Sequence, residues 1–281
     1  MGYMVKNKNT RNSEYDANNH SIDGGFLTSY YQTSTGRMVR HLIARKLKPV
    51  LTAVYPAGRH DLAIAGLGYM RPYLKYITDH YPHLINLHAV GGSCAPWPPL
   101  GSTRDSTHYR SRQAKVSSSS LPLLDASLDG LFIMHGLEHA PHADTMMTEA
   151  WRVLKSQGSL IIVVPHRGSI WASRDTTPFG IGQPYSINQI RSLLKDHDFE
   201  VGNIHQSLNA PPSTSNLYPR YAPFVERLPN PFGGVLIVEA RKMIYSIKGK
   251  SVADRQDARK LAKARTISSS RPVSHQGRHG L

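Results

Sequence analysis

Cysteine is almost missing from this chain: of 281 residues only Cys94 carries a thiol. One thiol closes no intramolecular disulfide and supplies no cysteine-rich zinc module, and it suits a reducing compartment, so the cytoplasm is the expected location. Long apolar runs are missing too. The longest, such as LIIVV at 160–164, falls far short of the ~20 residues a membrane-spanning helix needs. The opening MGYMVKNKNTRNSEYDANNH has no apolar stretch of the secretory kind, and Lys6 stands where an N-myristoylation signal wants Ser or Thr.

Acidic residues are scarce, 19 against 34 Lys and Arg, for a formal charge of +15. From Arg241 onward there are 11 basic and 2 acidic residues, which leaves +6 for everything before. The excess therefore belongs to the tail. Such a tail is read first as a solvated segment, with weak, salt-sensitive nucleic-acid contact as its functional alternative.

What is present is enough apolar material, 40% of the chain, for one substantial core. Residues 1–24 are polar and rich in Asn, and 246–281 carry no core-forming pattern, so both are expected to be disordered tails flanking a domain at 25–245. Met38, Leu42, Ile43 and Leu47 recur at helical spacing. DLAIAGLG then reads as a strand ending in a glycine turn, and Met70, Leu74, Ile77 and Tyr81 as the face of a helix after it. LINLHAV at 84–90 is a second strand, and the run near 113–116 a short third.

SLDGLFIMHG supplies another strand, followed by a helix over about 142–156 with Met147, Ala150, Trp151 and Leu154 inward and Gly158 as its stop. SLIIVVP is apolar without alternation, as strands covered on both faces are. A helix at 185–197, a strand at 199–206, a loop rich in Pro, Ser and Asn, and a strand at 233–242 complete the chain. Strands alternating with helices predict an α/β, doubly wound fold. Its sheet is seven-stranded and mostly parallel, with helices on both faces and an antiparallel hairpin at one edge, a Rossmann-like arrangement. Whether the 206–231 loop, with Tyr218, Tyr221 and Phe224, closes as a lid or packs permanently is left open by the sequence.

The stretch HGLEHAPH, His135 to His142, contains H-x-x-E-H, a zinc-peptidase spacing that puts two His one turn apart on a helix. The flanks argue against it. LFIM before His135 is strand-like, Gly136 interrupts any helix start, and Pro141 clashes within a continuing helix. The segment is read as a strand end opening into a cleft, with no metal, His135 toward ligand, and Glu138 and His139 holding the turn.

In such sheets ligands sit at the carboxyl ends of the strands. Four segments converge there: AGLGYM, VGGSCAPW, IMHGLEHAPH and VVPHRGSIWASRDTTPFG. The block at 121–167, with LP-x-x-D-x-S-x-D leading into a strand, LEH at its end, E-x-x-RVLK-x-x-G and a buried strand ending at Pro165, strongly resembles the second half of a class I, type 11 S-adenosylmethionine-dependent methyltransferase domain. PFGIGQPYS resembles a substrate-side segment of a bacterial subgroup of these proteins.

The resemblance implies S-adenosylmethionine as cofactor, contacted by Gly66, Gly68, Met134 and His135, and methyl transfer to an acceptor that the sequence does not name. Such enzymes carry an acid two residues before a G-x-G-x-G loop and another at the end of the second strand. Here the first position is Ile64, the third glycine is Met70, and the second strand ends in His88, Ala89, Val90 and Gly91. The alternative reading is a methyltransferase-like binding module without catalysis, its basic tail touching nucleic acid or a partner protein. Candidate polar groups at the mouth are His135, His139, Tyr185 and Asp175, each with a structural reading as a hydrogen-bonded junction residue, and none is assigned as catalytic. Trp97 and Trp171 are candidate ring-covering side chains whose first reading is packing.

Overall fold

A computed structural model of the protein describes residues 24–54, 61–78, 84–88, 112–215, 217–228 and 232–243. The two tails, Tyr81 and Trp97 lie outside the described residues. Among those described, no helix is long and apolar enough to cross a membrane.

The elements run α1 (Gly24–Gln32), α2 (Ser34–Val54), β1 (Ile64–Gly68), α3 (Leu74–Thr78), β2 (Ile85–His88), β3 (Gln113–Lys115), β4 (Leu128–Met134), α4 (Ala143–Val153), β5 (Leu154–Pro165), α5 (Ile187–Asp196), β6 (Phe199–Ser207), α6 (Tyr218–Val225) and β7 (Val235–Lys242). The strands form one seven-stranded sheet in the order β3-β2-β1-β4-β5-β7-β6. Strands β3, β2, β1, β4 and β5 are mutually parallel, while β7 runs antiparallel to both β5 and β6. The doubly wound architecture and the antiparallel edge pair are as the sequence predicts.

The unbroken run in β5 has its physical reason in this sheet. Ile161 and Val163 face one cluster with Phe132, Met134, Ile237 and the apolar sides of α1, α2 and α6, whereas Leu160, Ile162 and Val164 face another with Leu131, Ile133, Leu236 and the sides of α4 and α5. A strand sandwiched between two helical layers needs an apolar residue at every position.

Several boundaries differ from the sequence reading. The first described helix, α1, has no long periodic pattern and is missed. Gly36 explains how it meets α2, since a Cβ there would strike the carbonyl of Tyr30. α2 runs to Val54 through Pro49. The helix after HGLEH stops at Val153, not 156, and Leu154 already pairs with Leu128 in the sheet. Its last carbonyls are taken by Lys242, whose Nζ donates to the oxygens of Trp151 and Leu154 at 2.7 and 2.6 Å and lies 3.8 Å above the Trp151 ring. Trp151 is thus half-buried under a cation, while Met146 and Val153 take the inward positions. Gly158 closes a tight turn against the Lys155 carbonyl, with Gln157 at φ +63°. Helix α5 starts where Ser186 and Gln189 form a reciprocal capping box. The 206–231 loop contains α6, whose Tyr218 and Ala222 are buried.

The charged letters of the methyltransferase-like block act as joints. Arg152 donates to Glu149 and Asp125 and to the carbonyls of Leu121 and Leu123, while Glu149 accepts from the Leu121 N–H. This set clamps the approach to β4 onto α4. Asp129 receives Lys155 Nζ at 2.8 Å and the Ala63 N–H at 2.9 Å, joining β4 to the start of β1 and to the turn within β5. Replacing Arg152 by Ala should lower unfolding free energy by about 1–2 kcal/mol, since hydrogen bonds to charged groups are involved but Asp125 is solvated. Urea denaturation reads this directly; an unchanged midpoint would contradict the clamp.

Candidate functional site

The order of strands places the point of reversal between β1 and β4, where chain connections leave toward opposite faces and a crevice opens at the carboxyl edge. Two turns meet there backbone to backbone. The Tyr69 N–H donates to the Met134 carbonyl at 2.8 Å. Gly68, at φ +96°, leaves no room for a Cβ because Met134 O and the Gly136 backbone stand in its place. Gly136 lies equally close, its Cβ position 3.5 Å from the Gly68 Cα. Gly68 is therefore demanded by the fold before any ligand is considered.

Gly66 differs, because the nearest atoms a Cβ there would meet belong to the side chain of Met70, with Cγ at 2.8 Å. Met70 occupies the position of the third family glycine and is fully buried, so a flexible thioether lies over the glycine turn. Beside it, Asn86 pairs in register with Gly66, and both atoms of its amide are buried without a partner. His88 ends β2, buried, with its ring 6.1 Å from that of Tyr69. Burial first and then the Arg71 charge lower the His88 pKa, so it is a neutral imidazole at neutral pH.

His135 ends the central strand in left-handed conformation, φ +47°, costly for a side chain of this size and sustained by what its ring holds. Nε2 lies 2.6 Å from the Tyr31 hydroxyl of α1, and Nδ1 lies 3.2 Å from Glu138 Oε1. Tyr31 in turn meets the Tyr73 hydroxyl at 3.0 Å, and Phe179 packs 5.4 Å from the imidazole. With Nδ1–H donating to the carboxylate, Nε2 accepts from Tyr31. The first helix is thereby tied to the mouth of β4.

Glu138 and His139 lie in a 3₁₀ turn, Leu137–His139, both buried. This is strand, then tight turn, and His135 and His139 do not share a helical face. Among the described residues no cluster suited to a metal occurs. The Glu138 carbonyl accepts from the Gln183 N–H at 2.8 Å, and Gly182, at φ +90°, sits where a Cβ would meet that carbonyl and the His139 ring. PFGIGQPYS is thus docked on HGLEH through its glycine and glutamine.

The remaining candidates scatter. Tyr185 is buried, its pKa pushed up to about 12 by burial and then by the Glu138 and Asp144 charges. Its N–H donates to Pro165 O, closing the loop after β5. Asp175 is exposed. Trp171 is buried with its Nε1 donating to Ala210 O at 2.9 Å, a packing residue. Met134 is buried and contributes its carbonyl to the Tyr69 contact. The residues sequence reasoning missed are Tyr31, Tyr73 and Asn86. Only the aromatic pair Tyr30–Tyr31, standing out in a polar stretch, offered a signal.

Burial by itself would raise the Glu138 carboxyl, but the His135 hydrogen bond and the electrostatic influence of the His139 and His135 rings outweigh it, and the net shift is downward. A lowered folded pKa contributes stability that is present above the unfolded carboxyl value of about 4.3 and lost as pH falls through the folded one. Glu138→Gln should therefore lower the melting temperature at neutral pH by an amount equivalent to about 1–3 kcal/mol, with the gap to wild type closing below about pH 4. A pH-independent gap would show that the charge of Glu138 contributes nothing.

Comparison with known proteins bears on the fold. Residues 100–162 match the model of a methyltransferase domain. Many solved structures share the fold. A Thermotoga maritima S-adenosylmethionine-dependent methyltransferase superposes with TM-score 0.52 at 13% identity, covering 78% of this chain and 95% of that one. The methyltransferase solved in complex with its activator from Haloferax volcanii gives 0.52 at 14%, covering 78% and 98%. A search of curated proteins finds no match. The chain has the fold of the class I S-adenosylmethionine-dependent methyltransferases, and its sequence likeness to them lies in the clamped block around β4 and α4.

Proposed function

We propose that this protein binds S-adenosylmethionine across the carboxyl ends of β1, β2 and β4 and transfers its methyl group to a small acceptor entering from the α1 side. The observation that carries this reading is the unpartnered, buried Asn86 amide level with Gly66 at the strand-order reversal. A buried amide with neither donor nor acceptor satisfied is costly, and a polar ligand at the glycine turn removes that cost.

The residues present fit such a cofactor, with one adjustment. Gly66 gives close backbone approach once the Met70 thioether swings away, a cheap move for an unbranched side chain. His88 stands in for the carboxylate of the family pattern. A neutral imidazole accepts one hydrogen bond and donates another, enough for a pair of ribose hydroxyls. Met134 and His135 would border the cofactor from β4, His135 through its ring face because both nitrogens are engaged. When bound, S-adenosylmethionine supplies a methyl group already activated by its sulfonium.

The task left to the chain is to align and to exclude water. Tyr31, Tyr73, Tyr69 and Phe179 form an apolar roof over the mouth of β4, and the Tyr31–His135–Glu138 chain keeps that roof on the sheet. Burial, and next the Tyr73 phenol, hold the Tyr31 pKa well above its ordinary value, so Tyr31 remains a hydrogen-bond donor and not a base.

Isothermal titration with S-adenosylhomocysteine tests the reading. Wild type should bind; Gly66→Leu, whose side chain competes with Met70 for the same space, should bind at least about tenfold more weakly, as steric exclusion from a packed site costs more than 1.4 kcal/mol. Asn86→Leu, which replaces the amide by an apolar group of similar volume, should weaken binding while leaving or raising thermal stability. No heat with wild type at saturating ligand would favour the alternative of a binding module without catalysis, for which the Met70 side chain over Gly66 is the supporting feature.

A further inference from the structure

Beyond the aromatic roof lies a second feature that the site above does not use. A cavity of about 530 Å³ opens where the α1–α2 junction, the loop after Trp171 and the segment before α6 come together. Its volume is of the order that small-molecule pockets have. Its lining is mostly hydroxyl-bearing, with one guanidinium, Arg174, and no carboxylate.

The hydroxyls divide into two kinds. Thr35 and Thr177 spend their protons on the carbonyls of Ser213 and Arg174, at 2.8 and 3.1 Å, and so fix the walls. Ser213 Oγ accepts from the Ser215 N–H at 3.1 Å and keeps its own proton to give. Arg174 is exposed and forms no ion pair among the described residues. Helix α2, 21 residues long with no acidic residue in its first turn, starts at the cavity wall with Ser34 and Thr35. Its partial positive end adds to the same sign of potential.

Tyr30 lines the cavity and is nine-tenths buried, but its hydroxyl is itself shut off from the open space and adds no donor there. The Tyr30 ring packs edge-on against Phe179 at 6.4 Å, and Phe179 against His135 at 5.4 Å, so one layer of rings separates the cavity from the end of β4.

We propose that this cavity binds the phosphate-bearing end of a small hydroxylated molecule, a sugar phosphate in chemical class, held by Arg174, the Ser213 hydroxyl and the start of α2. This binding site is independent of the methyl-transfer reading, because the ring layer stands between the two. A planar guanidinium with uncommitted donors matches phosphate oxygens, and alternating hydroxyl donors and acceptors match sugar hydroxyls.

The test uses the full chain, with ribose 5-phosphate, ribose and inorganic phosphate as probes in calorimetric titration, and S-adenosylhomocysteine titrated in parallel. Ribose 5-phosphate should bind more tightly than either fragment. Arg174→Ala should weaken it about tenfold or more, and Thr214→Trp, at an exposed rim position, should block it. Both variants should leave S-adenosylhomocysteine affinity and melting temperature as in wild type. Equal affinity for ribose and ribose 5-phosphate, no binding, or binding indifferent to both variants would overturn the assignment. Cofactor binding without sugar-phosphate binding removes the cavity proposal and leaves the methyltransferase reading standing; the reverse outcome keeps the cavity as a sugar-phosphate site and counts against the methyltransferase reading alone.

Discussion

The contact between two turns, Gly68 after β1 and Gly136 after β4, is the constraint from which the site follows. The sheet can place β1 beside β4 only if the backbones after them approach within van der Waals distance, and the Tyr69 N–H to Met134 O bond locks that approach. With the two strand ends held together, the following residues have few choices. Tyr69 and Tyr73 turn toward one side and meet α1, while His135 is forced into a left-handed conformation that points its ring at Tyr31. The crevice, its aromatic roof and its tie to the first helix all descend from this one junction.

Buried polar groups show how the site divides between structure and ligand. Several are satisfied within the chain: Lys242 by the end of α4, Glu226 by Ser207 and the N–H groups of Leu208 and Asn209, and Glu138 through Oε1 by His135. Asn86 and Tyr30 are exceptions. Unsatisfied groups cost stability; the Asn86 amide lies level with the glycine turn, whereas the Tyr30 hydroxyl is enclosed within the ring layer. One side suits an adenosyl cofactor and the other an oxyanion, with Tyr30, Tyr31 and Phe179 between them.

The methyltransferase-like block carries its resemblance mainly through packing and clamping. Arg152, Glu149, Asp125, Lys155 and Asp129 join α4 to the strands on either side of it, and none reaches the crevice. A strong likeness in this region therefore speaks for the fold, while the glycine loop and the end of the second strand lie in the divergent first half. Ile64, Met70 and His88 replace an acid, a glycine and an acid of the family pattern. The replacements are coherent: a thioether covers the glycine turn and a neutral imidazole ends β2, so the cleft is less charged than the pattern it departs from.

The sequence by itself determined the sheet, because period and apolar run length are local properties. The unalternating LIIVV demanded two covered faces, and Gly66–Gly68 and HGLEH marked the strand ends that form the mouth. It also argued against a metal helix at HGLEH, since Pro141 and Gly136 act within their own turn. Only the tertiary structure decided what meets at that mouth. Tyr31 lies 104 positions from His135 and Arg174 lies 139 from Thr35, and no local pattern encodes such pairings. They arise when helices packed on one face carry short polar and aromatic segments to the same edge, a consequence of strand order that no single window of the chain contains.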